Sequence, residues 1–305
     1  MRKIFTLVFL FTLFWQSGYS QNKNSNLTLS KDNSTNQTSF ELFPPGLSFL
    51  PLKAAIDEPR MGLLYYTATT NMKVDIGNSI DVLGFNFPKS KTRITVGAEF
   101  MAYAYVTSYL SYRLQIDAID GFFGGNVVYS KSLDNGRFVT RFRYIHSSAH
   151  LVDGHWDNST DQWLNNQLPD AYGNNYGELL FAREEYLGIS FLRYYAGLSM
   201  STGKKTGDRK LKRFLYKGGF EYSIPNLLGK VFDKDESIFA AVNFDVRGIP
   251  EYIVNQNYLI GLKFGEWEGE GLVFYVSYYN GGDVFNQYFS ERVSRFGIGF
   301  MFDFI

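Results

Sequence analysis

The chain has 305 residues, with 30 Lys and Arg set against 30 Asp and Glu, a formal net charge of +0 and no cysteine. A balanced charge excludes the basic face that a nucleic-acid partner would need. The missing cysteines exclude disulfides, thiolate metal centres and thiol catalysis.

The N-terminus reads as a secretory signal peptide over residues 1–20. Arg2 and Lys3 precede an apolar run from Ile4 to Trp15 that is broken only by Thr6 and Thr12. Gly18-Tyr19-Ser20 then places small residues where a signal peptidase cuts, with Gln21 as the new N-terminus. The run is too short to cross a bilayer as a helix, and no later segment reaches 18 uninterrupted apolar residues. Residues 21–41 are mostly Asn, Ser, Thr, Lys, Gln and Asp. Such a stretch cannot bury enough surface to fold and is expected to be a disordered periplasmic tail.

A short apolar lead follows, Leu42-Phe43-Pro44-Pro45, ending at Asp57-Glu58-Pro59-Arg60. From Gly62 onward the pattern has period two, the signature of strands. Around 93–102, Ile94, Val96, Ala98, Phe100 and Ala102 alternate with Arg93, Thr95, Gly97 and Glu99. Around 213–223, Phe214, Tyr216, Phe220 and Tyr222 alternate with Arg213, Lys217, Glu221 and Ser223. Near 238–247, Ile238, Val242, Phe244 and Val246 alternate with Asn243, Asp245 and Arg247, and the last strand sets Phe296, Ile298, Phe300, Phe302 and Phe304 on one face. One face is always apolar, and the other holds charges of both signs. The 29 Phe, 22 Tyr and 29 Gly fit the outer band and aromatic girdles of a membrane barrel.

Turn signals divide this region into twelve strands, at 62–70, 73–87, 92–107, 120–132, 137–150, 178–192, 193–203, 211–224, 237–248, 256–265, 271–280 and 293–304. The fold expected over 42–305 is therefore all-β, a transmembrane antiparallel barrel of an outer membrane. Asp134-Asn135-Gly136 and Glu266-Trp267-Glu268-Gly269 suit short periplasmic turns, and the polar insert 151–177 suits an extracellular loop. Gly203-Lys204-Lys205-Thr206-Gly207 has the wrong spacing for a phosphate-binding loop and reads as an extracellular hairpin. Gly299, Phe302 and Phe304 resemble the C-terminal signal read by the outer-membrane assembly machinery, although Ile305 replaces the usual final aromatic.

Two segments resemble a family of uncharacterised bacterial outer-membrane proteins, a domain of unknown function. Leu42-Phe43-Pro44-Pro45 with Asp57-Glu58-Pro59-Arg60 looks like its LFPP…DPR start. Arg141-x-Arg143-Tyr144-x-His146-x-Ser148-x-His150-Leu151-x-Asp153 looks like its RxRxYHxSxHLxD core. Here Ile145 separates Tyr from His, and Gly154 stands where an acid often follows. The resemblance implies a barrel and carries no activity.

All three histidines fall between 146 and 155. On strand 137–150 the even positions, including His146, Ser148 and His150, share the lipid-facing side with Phe138, Phe142 and Tyr144. One reading is a polar rim above the aromatic belt. A second is a metal site from His146, His150 and Asp153 or His155, for which two-residue spacing on a strand is poorly suited. A third is an ester hydrolase with Ser148 as nucleophile and His146 as base. The H-x-S order is similar to that of outer-membrane phospholipases and lipid A deacylases, with Asp153, Asn158 or Glu184 as candidates to orient the imidazole. Luminal Arg93, Glu99, Arg141, Arg143, Arg213, Glu221, Asp245 and Arg247 either line a narrow channel or fill the lumen as a salt-bridge network. Twelve strands leave less room than the 16 to 18 of an aqueous porin, which favours filling. The expected partners are outer-membrane lipids and the assembly machinery, with no cofactor and no metal.

Overall fold

The computed structural model describes residues 37–109, 113–170, 172–202, 205–206, 209–210, 212–230, 234–248 and 251–304. The signal peptide and residues 21–36 of the expected tail lie outside these. Twelve strands form one closed antiparallel sheet. They are β1 (Met61–Tyr66), β2 (Met72–Phe87), β3 (Thr92–Tyr109), β4 (Arg113–Leu133), β5 (Gly136–Leu151), β6 (Tyr172–Leu187), β7 (Ser190–Ser201), β8 (Phe214–Pro225), β9 (Glu236–Gly248), β10 (Tyr252–Phe264), β11 (Gly271–Gly282) and β12 (Arg292–Asp303). Each pairs with the next, and β12 closes the ring on β1 through Gly297↔Tyr66 to Phe302↔Met61.

The first and last described strands, Ser39–Leu42 and β12, reach the same rim, here called the lower end. Its turns include 134–135 and 188–189, whereas the long segment 152–170 and residues 212–213 sit at the upper end. The β5–β6 connection is shorter than the expected 151–177 insert, because β6 begins at Tyr172. The β6–β7 hairpin is corrected from 192/193 to 188–189, with Leu187 opposite Ser190. Gly188 has φ +65°, the left-handed region a tight hairpin demands, and the flanking apolar residues had masked that signal. At the neighbouring turn Gly136 has φ +121°, and a Cβ there would lie 2.0 Å from the Glu184 carbonyl oxygen.

Side chains divide between two faces as a pleated sheet requires. Phe100 is 57% exposed and Phe142 48% exposed, and Phe214, Phe244 and Phe302 also face outward. In water such a band would be an unusually large apolar surface. The inward positions of the same strands are buried and largely polar: Glu99, Arg141, Arg143, Glu178, Arg193, Lys217, Glu221 and Asp245.

The interior is occupied by the chain's own leading segment. Ser39–Leu42, whose first three residues the composition assigned to the tail, is a strand paired with Leu83–Asn86 of β2. Four residues with two bulky apolar side chains are enough to pair there because the short β1 leaves that lower edge of β2 open. Residues 43–60 then turn inside. Residues 52–59 are all buried, and their partners come from strands all around the ring. Irregular backbone buried this way must find hydrogen bonds outside any ladder. The strands supply them: Arg193 donates to the Leu50 carbonyl at 2.8 Å, Asn257 to that of Ala54 at 2.7 Å, and Arg143 to that of Asp57 at 3.0 Å. Glu221 accepts from the Lys53 N–H at 2.5 Å. Phe49 packs with Val128, Val139, Leu180 and Tyr195, and the Arg141 guanidinium stacks over its ring at 4.2 Å.

The upper end is closed differently. Loop 283–291 folds inward, burying Val284, Phe285, Asn286, Gln287, Tyr288 and Phe289. Asn286 donates its backbone N–H to Asp120 at 3.0 Å, Gln287 donates to the Ala149 carbonyl at 2.7 Å, and Phe285 packs on Tyr105 with centroids 4.7 Å apart.

Candidate functional site

Two groups of polar residues stand out, one inside the barrel and one on its outer wall. Inside, the Asp57-Glu58-Pro59-Arg60 stretch has a structural reason for each charge. Arg141 donates to Glu58 at 2.8 Å and approaches Glu178 at 3.1 Å. Arg143 donates to Asp57 at 2.8 Å and approaches Glu178 at 2.7 Å and Glu99 at 3.4 Å. Lys217 joins Asp57 to Glu178, at 2.8 Å from each. Arg60 turns back to donate to the carbonyls of Lys53 and Leu52, at 3.1 and 3.3 Å, and to that of Ala55, which holds the turn together. Glu221 pairs with Arg193 at 2.5 Å, a partner that period-two reading had passed over. Asp245 accepts from Asn243 at 2.9 Å and lies 3.8 Å from Arg247.

Arg93 faces inward only at the lower rim, where it meets Glu41 at 3.4 Å. Arg213 departs from the expected luminal position. It precedes β8, which begins at Phe214, so it is exposed at the upper mouth rather than within the barrel.

On the outer wall, β5 presents Phe138, Phe142 and Tyr144, then His146, Ser148 and His150 toward its upper end. The register places His146 opposite Phe123 on β4 and Asn175 on β6. The His146 ring packs on Phe123 at 4.9 Å, and its Nδ1 lies 2.7 Å from Asn175 Oδ1. With Asn175 Oδ1 as acceptor, Nδ1 is the donor and Nε2 keeps the free lone pair. Ser148 lies between two glycines, Gly121 on β4 and Gly173 on β6. A Cβ on Gly173 would meet nothing within 4 Å, and one on Gly121 would meet only Ser148 Oγ, at 3.8 Å. Ser148 therefore sits on the floor of a shallow trough. Among the described residues no hydrogen bond joins His146 to Ser148, as is common where a nucleophile and base tighten only around substrate.

The residue bonded to His146 is Asn175, which the sequence did not nominate. Glu184 is fully buried on the inner face, opposite Arg137 and paired with it, because β6 is shifted nine residues relative to that guess. Asn158 is exposed in the upper loop, and Asp153 opens a short 3-10 turn whose first side chain lies outside the described residues. Asn175 was missed because only the β5–β6 register brings it to His146.

The three histidines also part company. His150 is exposed, with Ile119 and no polar residue opposite it on β4. His155 is buried beneath the upper loops, with Nδ1 2.7 Å from Asp117 and Nε2 3.0 Å from the Leu164 carbonyl. It cannot join the other two around a metal. Tyr288 donates to the same Asp117, and burial together with that carboxylate raises the Tyr288 phenol above its ordinary range. Burial likewise pushes the Asp283 carboxyl up, against the opposing pull of Arg295 at 2.5 Å. Trp156 and Trp163 meet edge to face at 5.1 Å and order the loop that carries them.

No family model matches the chain, and no curated protein matches it. Among solved structures it is similar to the β domain of the Bordetella autotransporter BrkA, at 11% identity and a TM-score of 0.42, over 80% of this chain and 97% of that one.

Proposed function

We propose that this chain is an integral barrel of a bacterial outer membrane that hydrolyses acyl esters of lipids on its outer wall. The bond between Asn175 and His146, beside an unobstructed Ser148, carries the reading. It fixes the imidazole tautomer that a serine nucleophile needs, on the one face where a lipid substrate already lies. His146 Nε2 takes the Ser148 proton as Oγ attacks the ester carbonyl carbon. Collapse of the tetrahedral adduct breaks the bond to the alcohol, which leaves with that proton. Water then attacks the acyl-serine, again with His146 as base, and releases the fatty acid. Same-face neighbours on a strand stand about 6.5–7 Å apart, so small rotamer changes bring Oγ and Nε2 together.

The membrane reading rests on the outward band of phenylalanines opposed to inward charges. Conduction is disfavoured, since residues 43–60 fill the lower lumen and loop 283–291 the upper. The lower end belongs in the periplasm. Intact cells carrying Ser159→Cys in the exposed upper loop are expected to label with an impermeant thiol reagent. Labelling only after permeabilisation would reverse the orientation.

The activity is tested on purified protein in detergent micelles containing phospholipid or lipid A, with calcium present. Fatty acid release is expected from the wild type and not from Ser148→Ala or His146→Ala. Equal release from the variants, or none from the wild type, returns the trio to a polar rim above the aromatic belt.

A further inference from the structure

Behind the wall that carries His146 and Ser148, between the ion-pair layer and the upper loops, lies a cavity of about 60 Å³. Its floor is Asp57, its side is Arg247 and Tyr176, and its mouth is Lys212 and Arg213. The charges do not balance. Three cations face one carboxylate, and both Asp57 oxygens already accept from Lys217 and Arg143 at 2.8–2.9 Å. Arg247 has Asp245 beside it at 3.8 Å, beyond hydrogen-bond reach.

Two of the lining residues carry a buried donor with no partner among the described residues, Arg247 Nε and Tyr176 Oη. Buried donors are normally satisfied, so each implies an acceptor. Water could satisfy each donor singly, whereas an oxyanion would meet both at once and also offset the lysine and arginine at the mouth, which have one carboxylate among the lining residues. The volume holds roughly four to six water-sized spheres, enough room for a small oxyanion. The mouth is shaped for closure over it. A Cβ on Gly248 would lie 2.2 Å from Lys212 Cγ, so the lysine crosses the rim only because position 248 is glycine.

We propose that this cavity binds a phosphate-class oxyanion, held from within by Arg247 and Tyr176 and covered from the mouth by Lys212 and Arg213. The anion is either free phosphate or the phosphomonoester of a lipid headgroup reaching over the rim. The site uses none of the residues assigned to ester hydrolysis, and it stands or falls independently of that reading.

The test is calorimetric titration of inorganic phosphate into the full chain in a non-ionic, phosphate-free detergent, with thermal unfolding followed in parallel. Phosphate is expected to bind and to raise the unfolding temperature. Arg247→Gln should weaken binding at least about tenfold, the loss of one charge-assisted contact. The Lys212→Gln/Arg213→Gln pair, at exposed positions that leave the interior intact, should do the same and keeps the test decisive if Arg247→Gln does not fold. A second arm adds phosphatidic acid in mixed micelles. Its displacement of phosphate assigns the site to a lipid headgroup, and failure to compete assigns it to the free ion. Absence of binding in both arms, or binding undiminished in the mouth pair, overturns the proposal.

Discussion

On β5, Arg141 and Arg143 point into the barrel while Phe142, Tyr144, His146 and Ser148 point away from it, so neighbours along the chain sit in different surroundings. Inside, the charged groups around Asp57 and Glu58 are tied to one another. Arg143 alone touches Asp57, Glu99 and Glu178, and its removal would leave buried charges with nothing in their place. Outside, His146 has one hydrogen bond and Ser148 lies beside two glycines. A side chain needed for packing has many partners and no freedom. On the proposed reading, a side chain used for chemistry has an orienting contact and open space.

The sharpest way to break this comparison is Arg143→Ala. Removing one partner of a buried ion-pair network costs about 3–5 kcal/mol. Urea unfolding in micelles should register that loss, while Ser148→Ala on the opposite face should leave the midpoint unmoved. Equal effects would mean that the outer trio is structural too.

A somewhat smaller effect is expected from Phe100→Arg, which puts a charge on the exposed band of β3. In a bilayer a cation there costs about 2–4 kcal/mol near the midplane and little near the interfaces. Unfolding from liposomes should show the penalty, and unfolding in micelles should show less of it. No difference between the two would place Phe100 outside the hydrocarbon.

Smallest in free energy is Asn175→Ala. With the imidazole free to change tautomer, turnover of a lipid ester should fall by roughly 10- to 100-fold at unchanged stability. His150→Ala, two residues from Ser148 on the other side, should change turnover by less than about threefold. If His150→Ala were the more damaging, the base would have been assigned to the wrong histidine.

Much of the barrel was legible in the chain itself. A strand has period two, so Phe296, Ile298, Phe300 and Phe302 announce a face, and twelve such segments give both the ring and the parity that brings the ends together. The H-x-S spacing on β5 was visible for the same reason, since residues two apart must share a side. Tertiary structure alone decided the rest. Nothing local in residues 43–60 says that they fold into the lumen, because the partners that satisfy their backbone, Arg143, Arg193, Glu221 and Asn257, lie 86 to 203 residues away. Asn175 likewise became the partner of His146 only through the β5–β6 register, which is set by where both strands bury their charges and not by any pattern within either.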